Sequence, residues 1–430
     1  MRISAQRRLA QRITGLELWL LGLTVVASSL WPEFLPLAVV LGVIFCFVRW
    51  FVYGKPGVRT PADWGIFLLA ALAVFGIWKA SYPDVTTVQV FRLLAGIALF
   101  ISIVNWGSSE SRIGWLVILM SAAAACLAVF GVISIEWVSA KAKFLPSNIY
   151  SMFQVLVSDP THPNVMAGSL VLFAPALCAL IVFKAVPPSG RKFSSGVYLL
   201  NIFSLIGVLG VIFLTQSRGA IYAFIVALVV LILMKWKWGW IILISLGITG
   251  LVMVKISGFG LSDILLDSQT LDTLNKRQEL WFRAFSLVSI FPWTGIGMGM
   301  FNTTIRYLMP LLADGTKEII HVHNLYLQIA VDIGIPGLVA WTSILIVILV
   351  VSWKLFKTGS ATGDRWVLGL GAGLFCSGVA LISHGMIDSV VWGLRSAPIV
   401  WFIWGVTIAA GRVYLGGGDK QKLQTGLIAG

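Results

Sequence analysis

The sequence predicts an all-α polytopic membrane protein, and three observations carry that prediction. Hydrophobic residues make up 58% of the 430-residue chain and charged residues 11%, where soluble domains carry about 25% charged residues. Apolar runs of roughly 17 to 25 residues, the length that crosses a bilayer as a helix, recur about twelve times. The basic residues collect in alternate connecting segments, as a chain threading back and forth through one membrane requires.

The expected spans lie near residues 15–31, 34–53, 62–79, 87–105, 113–134, 164–184, 197–215, 219–234, 238–256, 324–352, 367–390 and 397–414. The basic stretch ahead of the first has the start of a signal peptide, but is expected to stay as the flank of a retained span. One alternating set of connections carries Arg2, Arg7, Arg8 and Arg12, then Arg49, Lys55 and Arg59, then Arg112. It continues with Lys184, Arg191, Lys192, Lys235, Lys237, Lys354, Lys357 and Arg365, and ends with Arg412, Lys420 and Lys422. By the positive-inside rule these segments, and with them both termini, face the cytoplasm. The net charge of +14 is then mostly topological, a matter of orientation and anionic lipid, and gives no ground for nucleic-acid binding. Trp19, Trp31, Trp50, Trp64, Trp78, Trp106, Trp115, Trp236, Trp238 and Trp240 fall near span ends, where an aromatic belt sits. Cys46, Cys126, Cys178 and Cys376 lie in apolar runs without a C-x-x-C pair, so neither a disulfide framework nor a thiolate metal site is expected.

The opposite face carries two long polar segments, 135–163 and 257–323. In the second, LDTLNKRQELWFRAFSLV and FNTTIRYLMPLLADG repeat apolar residues at intervals of three and four, the period of amphipathic helices. Such helices lie on a membrane surface or cover a cavity. The chain therefore divides into spanning helices over 1–256, a helical lid over 257–323, and further spans with a cytoplasmic tail over 324–430.

Chemistry is expected where the lid meets the next span, in HVHNLYLQIAVDIGIPG at 321–337. An imidazole takes up a proton near neutral pH, and the positive end of a helix favours its neutral, basic form and draws phosphate. The same residues also fit a plain cap, because Asn is favoured before the first helical turn. Arg218 stands in LTQSRGAIYAF between two apolar runs; a guanidinium at membrane depth is costly and its fork suits phosphate, although a snorkelling turn residue has the same pattern. Arg277 and Trp281 share a helix face with Arg283 close by, which fits either a phosphate and sugar grip or a solvated face with a packed Trp. Arg92 lies a turn inside its span. His384 and Asp388 are spaced i, i+4 near the end of the eleventh span, followed by Arg395; Asp388 fits either a structural contact with His384 or a group that orients a catalytic residue or binds a cation. His162 sits in a Pro-bounded helix start. Asp332 falls about 13 Å below His323 at 1.5 Å per residue, too deep to assist directly. GIGMGM at 295–300 lacks the strand–turn–helix context of a nucleotide site. No metal is expected, because His321 and His323 find no third ligand in the sequence.

His323–Asn324, nine residues, then G-x-x-G at 334–337 resembles the signature of bacterial O-antigen ligases. These stand in a wider membrane family with O-antigen polymerases and protein O-oligosaccharyltransferases. The likeness extends to TQSRGA at 215–220, Arg277–Trp281, G-x-G at 295–297 and HGMID at 384–388, and it covers most of the chain. The first element is specific to ligases; the others are shared. The resemblance implies a GT-C-type architecture and a glycosyltransferase that uses neither metal nor nucleotide. It implies transfer of O-antigen polysaccharide from undecaprenyl pyrophosphate to the lipid A–core sugar, on the periplasmic face of the bacterial inner membrane. His323 takes the place of the essential histidine, and Arg218 and Arg277 those of the essential arginines, with Arg283 and Arg306 close to the latter. Asn324, His321, Gln216, Trp281, Arg283, Arg92 and Asp388 complete the expected substrate-binding set. The expected chemistry is one inverting displacement at the anomeric carbon, with His323 as base and the arginines on the departing pyrophosphate. A polymerase or a protein O-oligosaccharyltransferase is the rival within the family. A lipid-glycan transporter is the rival outside it, but that class predicts broken helices around a midplane site, whereas the candidates here gather at one face.

Overall fold

The computed structural model describes residues 2–137, 148–188, 191–256, 268–308 and 321–416. In chain order its helices are α1 (Arg2–Leu30), α2 (Leu35–Tyr53), α3 (Asp63–Lys79), α4 (Pro83–Trp106), α5 (Glu110–Ser134), α6 (Asn148–Ser151), α7 (Pro163–Leu170) and α8 (Ala174–Val182). Then come α9 (Arg191–Thr215), α10 (Arg218–Lys235), α11 (Gly239–Ile256), α12 (Ser268–Ile290), α13 (Phe301–Leu308), α14 (Leu325–Thr362), α15 (Arg365–Gly385) and α16 (Ala397–Leu415). Among the described residues there is no strand, and one isolated parallel bridge joins Ile135 and Thr161.

Among the described residues, ten stretches are long and apolar enough to cross a membrane, one of them being α7 and α8 together. The chain is an all-α multi-pass membrane protein. Two of the twelve expected spans fall short of that length: α3 has 17 residues, and the apolar part of α11 runs Gly239–Thr249. Two boundaries also move. The eleventh expected span stops at Gly385, and α14 runs 38 residues with a break at Ile333 and Gly334. Part of the expected lid, 257–267 and 309–320, lies outside the described residues; its described part is α12, α13, the loop between them and residues 321–323.

The ends of the helices follow from local chemistry. Ser109 caps α5 and Asp364 caps α15 by accepting backbone N–H groups, and proline stands in the first turn of α4, α7 and α16. The centre is packed by the indoles of Trp341, Trp392, Trp401 and Trp404, with centroid separations of 4.8 to 6.2 Å. Most of the belt tryptophans, by contrast, are exposed, Trp64 and Trp78 by 84% and 81%, while Trp106 packs half-buried against the core.

The two ends of the bundle differ. At one end Arg49 pairs with Glu17, Arg112 donates to the Trp106 carbonyl at 3.0 Å, and Arg412 donates to the Val104 carbonyl at 2.6 Å. The Arg49–Glu17 pair is buried, both side chains being 5% exposed or less. Removing one partner strands the other charge, so Arg49→Ala is expected to cost about 3–5 kcal/mol, and Glu17→Leu with Arg49→Met to recover most of it. Thermal melts in detergent, with a single variant as stable as wild type as the contrary result, check this. The other end holds the turns that follow α9 and α15, residues 135–137 after α5, and residues 321–324 ahead of α14.

Candidate active site

Asn324 begins the site. Its Oδ1 accepts the backbone N–H groups of Tyr326 and Leu327, each at 3.0 Å, and so caps α14. Its Nδ2 donates to the Met386 carbonyl at 3.2 Å. Expected with the substrate binders, Asn324 instead has its amide engaged in holding two loops together.

The strand of chain before it is pinned from beneath. Val322 is fully buried with Leu280, Ala284, Met300 and Phe301, and its N–H donates to Gln328 at 2.8 Å. Gln328 donates to Asp332 at 2.9 Å, and the Trp392 indole donates to the other oxygen of Asp332 at 2.8 Å. Asp332 thus acts on the site from a distance, by bracing, where the sequence shows only its depth. With Val322 turned inward, the rings of His321 and His323 lie 4.3 Å apart. His323 has φ of +55°, a left-handed conformation that His, Asn and Asp enter more readily than other side chains.

Both rings meet Asp388. His321 Nε2 lies 2.9 Å and His323 Nδ1 3.3 Å from the same carboxylate oxygen, which also accepts the Ser389 N–H at 2.8 Å. Burial alone raises this carboxyl, but hydrogen bonds from the two imidazoles, and attraction to them, hold it well below the usual carboxylate range. An ionised carboxylate only accepts. In neutral rings the protons therefore sit on Nε2 of His321 and Nδ1 of His323, leaving the opposite nitrogens bare. His321 Nδ1 is buried without a partner among the described residues. The His323 side chain is 33% exposed against 16% for His321, so His323 is the ring that presents a base outward.

Because α15 ends at Gly385, Asp388 sits in a loop and turns its carboxylate to His321 and His323, while His384 is buried against α7 and α10. That packing matters, because a Cβ on Gly219 would lie 3.1 Å from Ile387 and 3.9 Å from His384 Nε2. The 215–220 turn is thereby set against the loop of Asp388, with Arg218 exposed as the first residue of α10. Gln216, at φ of +51°, donates to the Tyr150 hydroxyl, which donates in turn to the Leu214 carbonyl at 3.0 Å.

Arg277 comes from α12. Burial lowers its pKa and the charge of Asp388 offsets that, so the two groups are within electrostatic reach. The neighbouring arginines are engaged along their own helices: Arg283 with Glu279 at 2.6 Å, Arg306 with Asn302 at 3.0 Å. Trp281 packs into the cluster around Val322, and its indole N–H is buried without a partner among the described residues. Arg92 donates to the Gly393 carbonyl at 2.8 Å and Arg395 pairs with Asp159, so both brace the loop that carries Asp388. Arg283 and Arg92, expected to bind substrate, have these structural partners.

The spacing in H-N-x9-G-x-x-G gains a physical reason. Asn324 caps α14, and Gly334, at φ of +76°, breaks it where a Cβ would lie 2.6 Å from the Trp293 carbonyl carbon. The Ile335 N–H bonds to Pro292 at 2.7 Å and the Gly297 N–H to Asp332 at 2.9 Å. GIGMGM is therefore the loop that packs on this break. His321, His323 and Asp388 also offer three ligand atoms within 4.8 Å of one another. The fold thus supplies the third metal ligand that the sequence lacks, although two hydrogen bonds account for the same geometry.

Comparison with curated proteins finds no match. Residues 203–342, about a third of the chain, match the family model described as O-antigen ligase. The segment holds Gln216, Arg218, Arg277, His321, His323 and Asn324, whereas Asp388 and Arg92 come from outside it. Through that segment the chain is similar to the O-antigen ligase family.

Proposed function

We propose that this protein transfers a glycan from undecaprenyl pyrophosphate to a lipid A–core sugar on the periplasmic face of a bacterial inner membrane. The observation that carries it is the His323–Asp388 bond at the mouth of a membrane bundle, with Arg277 in reach of the same carboxylate. The match of residues 203–342 to the O-antigen ligase model supports the reading, and so does the basic end formed by Arg49, Arg112 and Arg412, which by the positive-inside rule faces the cytoplasm. Both termini then lie there too, with the lid over 257–323 outside.

The chemistry balances without a cofactor. Nε2 of His323 takes the proton of the acceptor hydroxyl, the new bond forms at the anomeric carbon, and the bond from that carbon to the pyrophosphate oxygen breaks. Arg218 and Arg277 hold the charge that develops on the leaving diphosphate. Asp388 fixes the ring and stabilises the imidazolium that forms, as a carboxylate does for a catalytic histidine. One displacement inverts the anomeric centre.

Purified protein in nanodiscs, supplied with the lipid-linked donor and a chelator, tests this against three acceptors: lipid A–core, a second lipid-linked glycan, and a pilin peptide. Transfer to lipid A–core is expected, unchanged by the chelator. Transfer to the lipid-linked glycan alone makes the protein a polymerase, and to the peptide alone a protein glycosyltransferase. Activity lost with chelator and restored by a divalent ion gives the His321–His323–Asp388 trio to a metal. Arg218→Lys and Arg277→Lys keep charge but lose the fork of donors, and each is expected to lower kcat by about 10²-fold. Unchanged kcat in both removes the arginines from the leaving-group role.

A further inference from the structure

A cavity of about 350 Å³ opens beside the turn that carries Arg218, at the lower end of the range for small-ligand pockets. Its walls include Glu136, Trp137, Tyr150, Thr161, His162 and Gln216. We propose that this cavity is a sugar subsite, taking one pyranose of the lipid-linked donor beside its diphosphate. The proposal rests on the function given above and adds where the donor glycan is gripped.

The lining decides the class of ligand. An aromatic face suits the C–H face of a pyranose, and a carboxylate, an amide, an imidazole and hydroxyls supply the donors and acceptors that sugar hydroxyls need. The cavity lining includes no lysine or arginine but does include Glu136, so a second diphosphate is disfavoured. This mixture of polar groups equally disfavours a lipid tail.

The walls are also held in place. The Trp137 indole donates to the Val132 carbonyl at 3.0 Å, with Tyr150 and Phe153 at ring separations of 6.0 and 5.2 Å. The Thr161 N–H donates to the Ser134 carbonyl at 2.7 Å, which ties Thr161 and His162 to the chain of Glu136 and Trp137. On the other side, Tyr150 straps Gln216 and Leu214. A preformed aromatic wall binds without the cost of ordering it.

Position separates donor from acceptor. The cavity wall at Gln216 is two residues from Arg218, which the mechanism places on the diphosphate, and a donor sugar is one bond from that diphosphate. His323, which meets the acceptor hydroxyl, lies beyond the contact of Gly219 with Ile387. The cavity therefore belongs to the donor side.

Binding in nanodiscs tests this with three probes: undecaprenyl pyrophosphate, the same lipid bearing one N-acetylhexosamine, and lipid A–core. Wild type is expected to bind the sugar-bearing lipid about tenfold more tightly than the bare one. Trp137→Ala removes that preference and leaves the bare lipid's affinity unchanged; Trp137→Phe keeps most of the preference, and Glu136→Gln weakens the sugar-bearing lipid alone. The proposal falls if Trp137→Ala leaves the preference intact or weakens both lipids equally. A change confined to lipid A–core gives the cavity to the acceptor and overturns the donor assignment. Arg218→Ala is the separate control: it weakens both donor lipids, and if it weakens neither, the arginine's role in the proposed function fails while the Trp137 comparison still stands.

Discussion

Asparagine in place of His323 is expected to slow transfer by about 10²- to 10⁴-fold, the usual contribution of a general base, and to leave donor binding close to wild type. Asparagine is the informative substitution because of the backbone. Residue 323 sits at φ of +55°, which Asn enters at little cost, whereas alanine there pays roughly 1–2 kcal/mol for the left-handed conformation. An amide also keeps a polar contact with Asp388. The variant removes the basic nitrogen while leaving the loop folded, so a slow enzyme with an unchanged melting temperature isolates the chemistry. His321→Asn serves as the contrast, because the free nitrogen of His321 is buried; its effect on rate is expected to be smaller. If His323→Asn transfers at the wild-type rate, the proton of the acceptor leaves by another route and the mechanism above is wrong.

The sequence showed the membrane helices because burial in lipid demands long apolar runs, and it showed most of the polar residues at one end because charge is costly elsewhere. Partners were harder to read. Asp388 was visible as part of HGMID, open between a contact with His384 and a group that orients a catalytic residue; with α15 stopping at Gly385, its carboxylate meets His321 and His323. Asn324 was open between cap and binder, and the two N–H bonds it accepts show that it caps α14. Gly334 was visible as a motif letter, while its reason, the approach of Trp293 to a broken helix, is tertiary. Trp137 gave no signal, because an aromatic residue just past a span end reads as belt until a cavity is seen beside it, and Tyr150 stands in the middle of a polar segment. The charges of Arg277 and Arg283 look interchangeable along one helix; the pairing of Arg283 with Glu279 and the reach of Arg277 to Asp388 separate them.

Asp388→Asn is expected to slow transfer by as much as His323→Asn does, for a reason that lies in the donor and acceptor pattern. The carboxylate can only accept, so it keeps the proton on Nδ1 of His323 and the lone pair on Nε2. An amide at the same place can donate toward Nδ1 instead. The proton then moves to Nε2, and the ring is no longer a base toward the acceptor; in a catalytic triad the same change costs about 10⁴-fold in kcat. Because the two residues act as one unit, their effects are not expected to add: Asp388→Asn introduced into the His323→Asn protein should slow it little further. A purely structural Asp388 gives the opposite pattern, with independent losses that multiply. Stability supplies a second reading. The Asp388 carboxyl is held well below its ordinary value in the folded protein, so its stabilising contribution is complete above about pH 4 and fades as the pH falls through the depressed value. The Asn variant should therefore melt below wild type at neutral pH, with the gap closing in acid below about pH 4. A gap that stays constant through that range, together with multiplying rate losses, would remove Asp388 from the partnership with His323 and leave the histidine without the group that orients it.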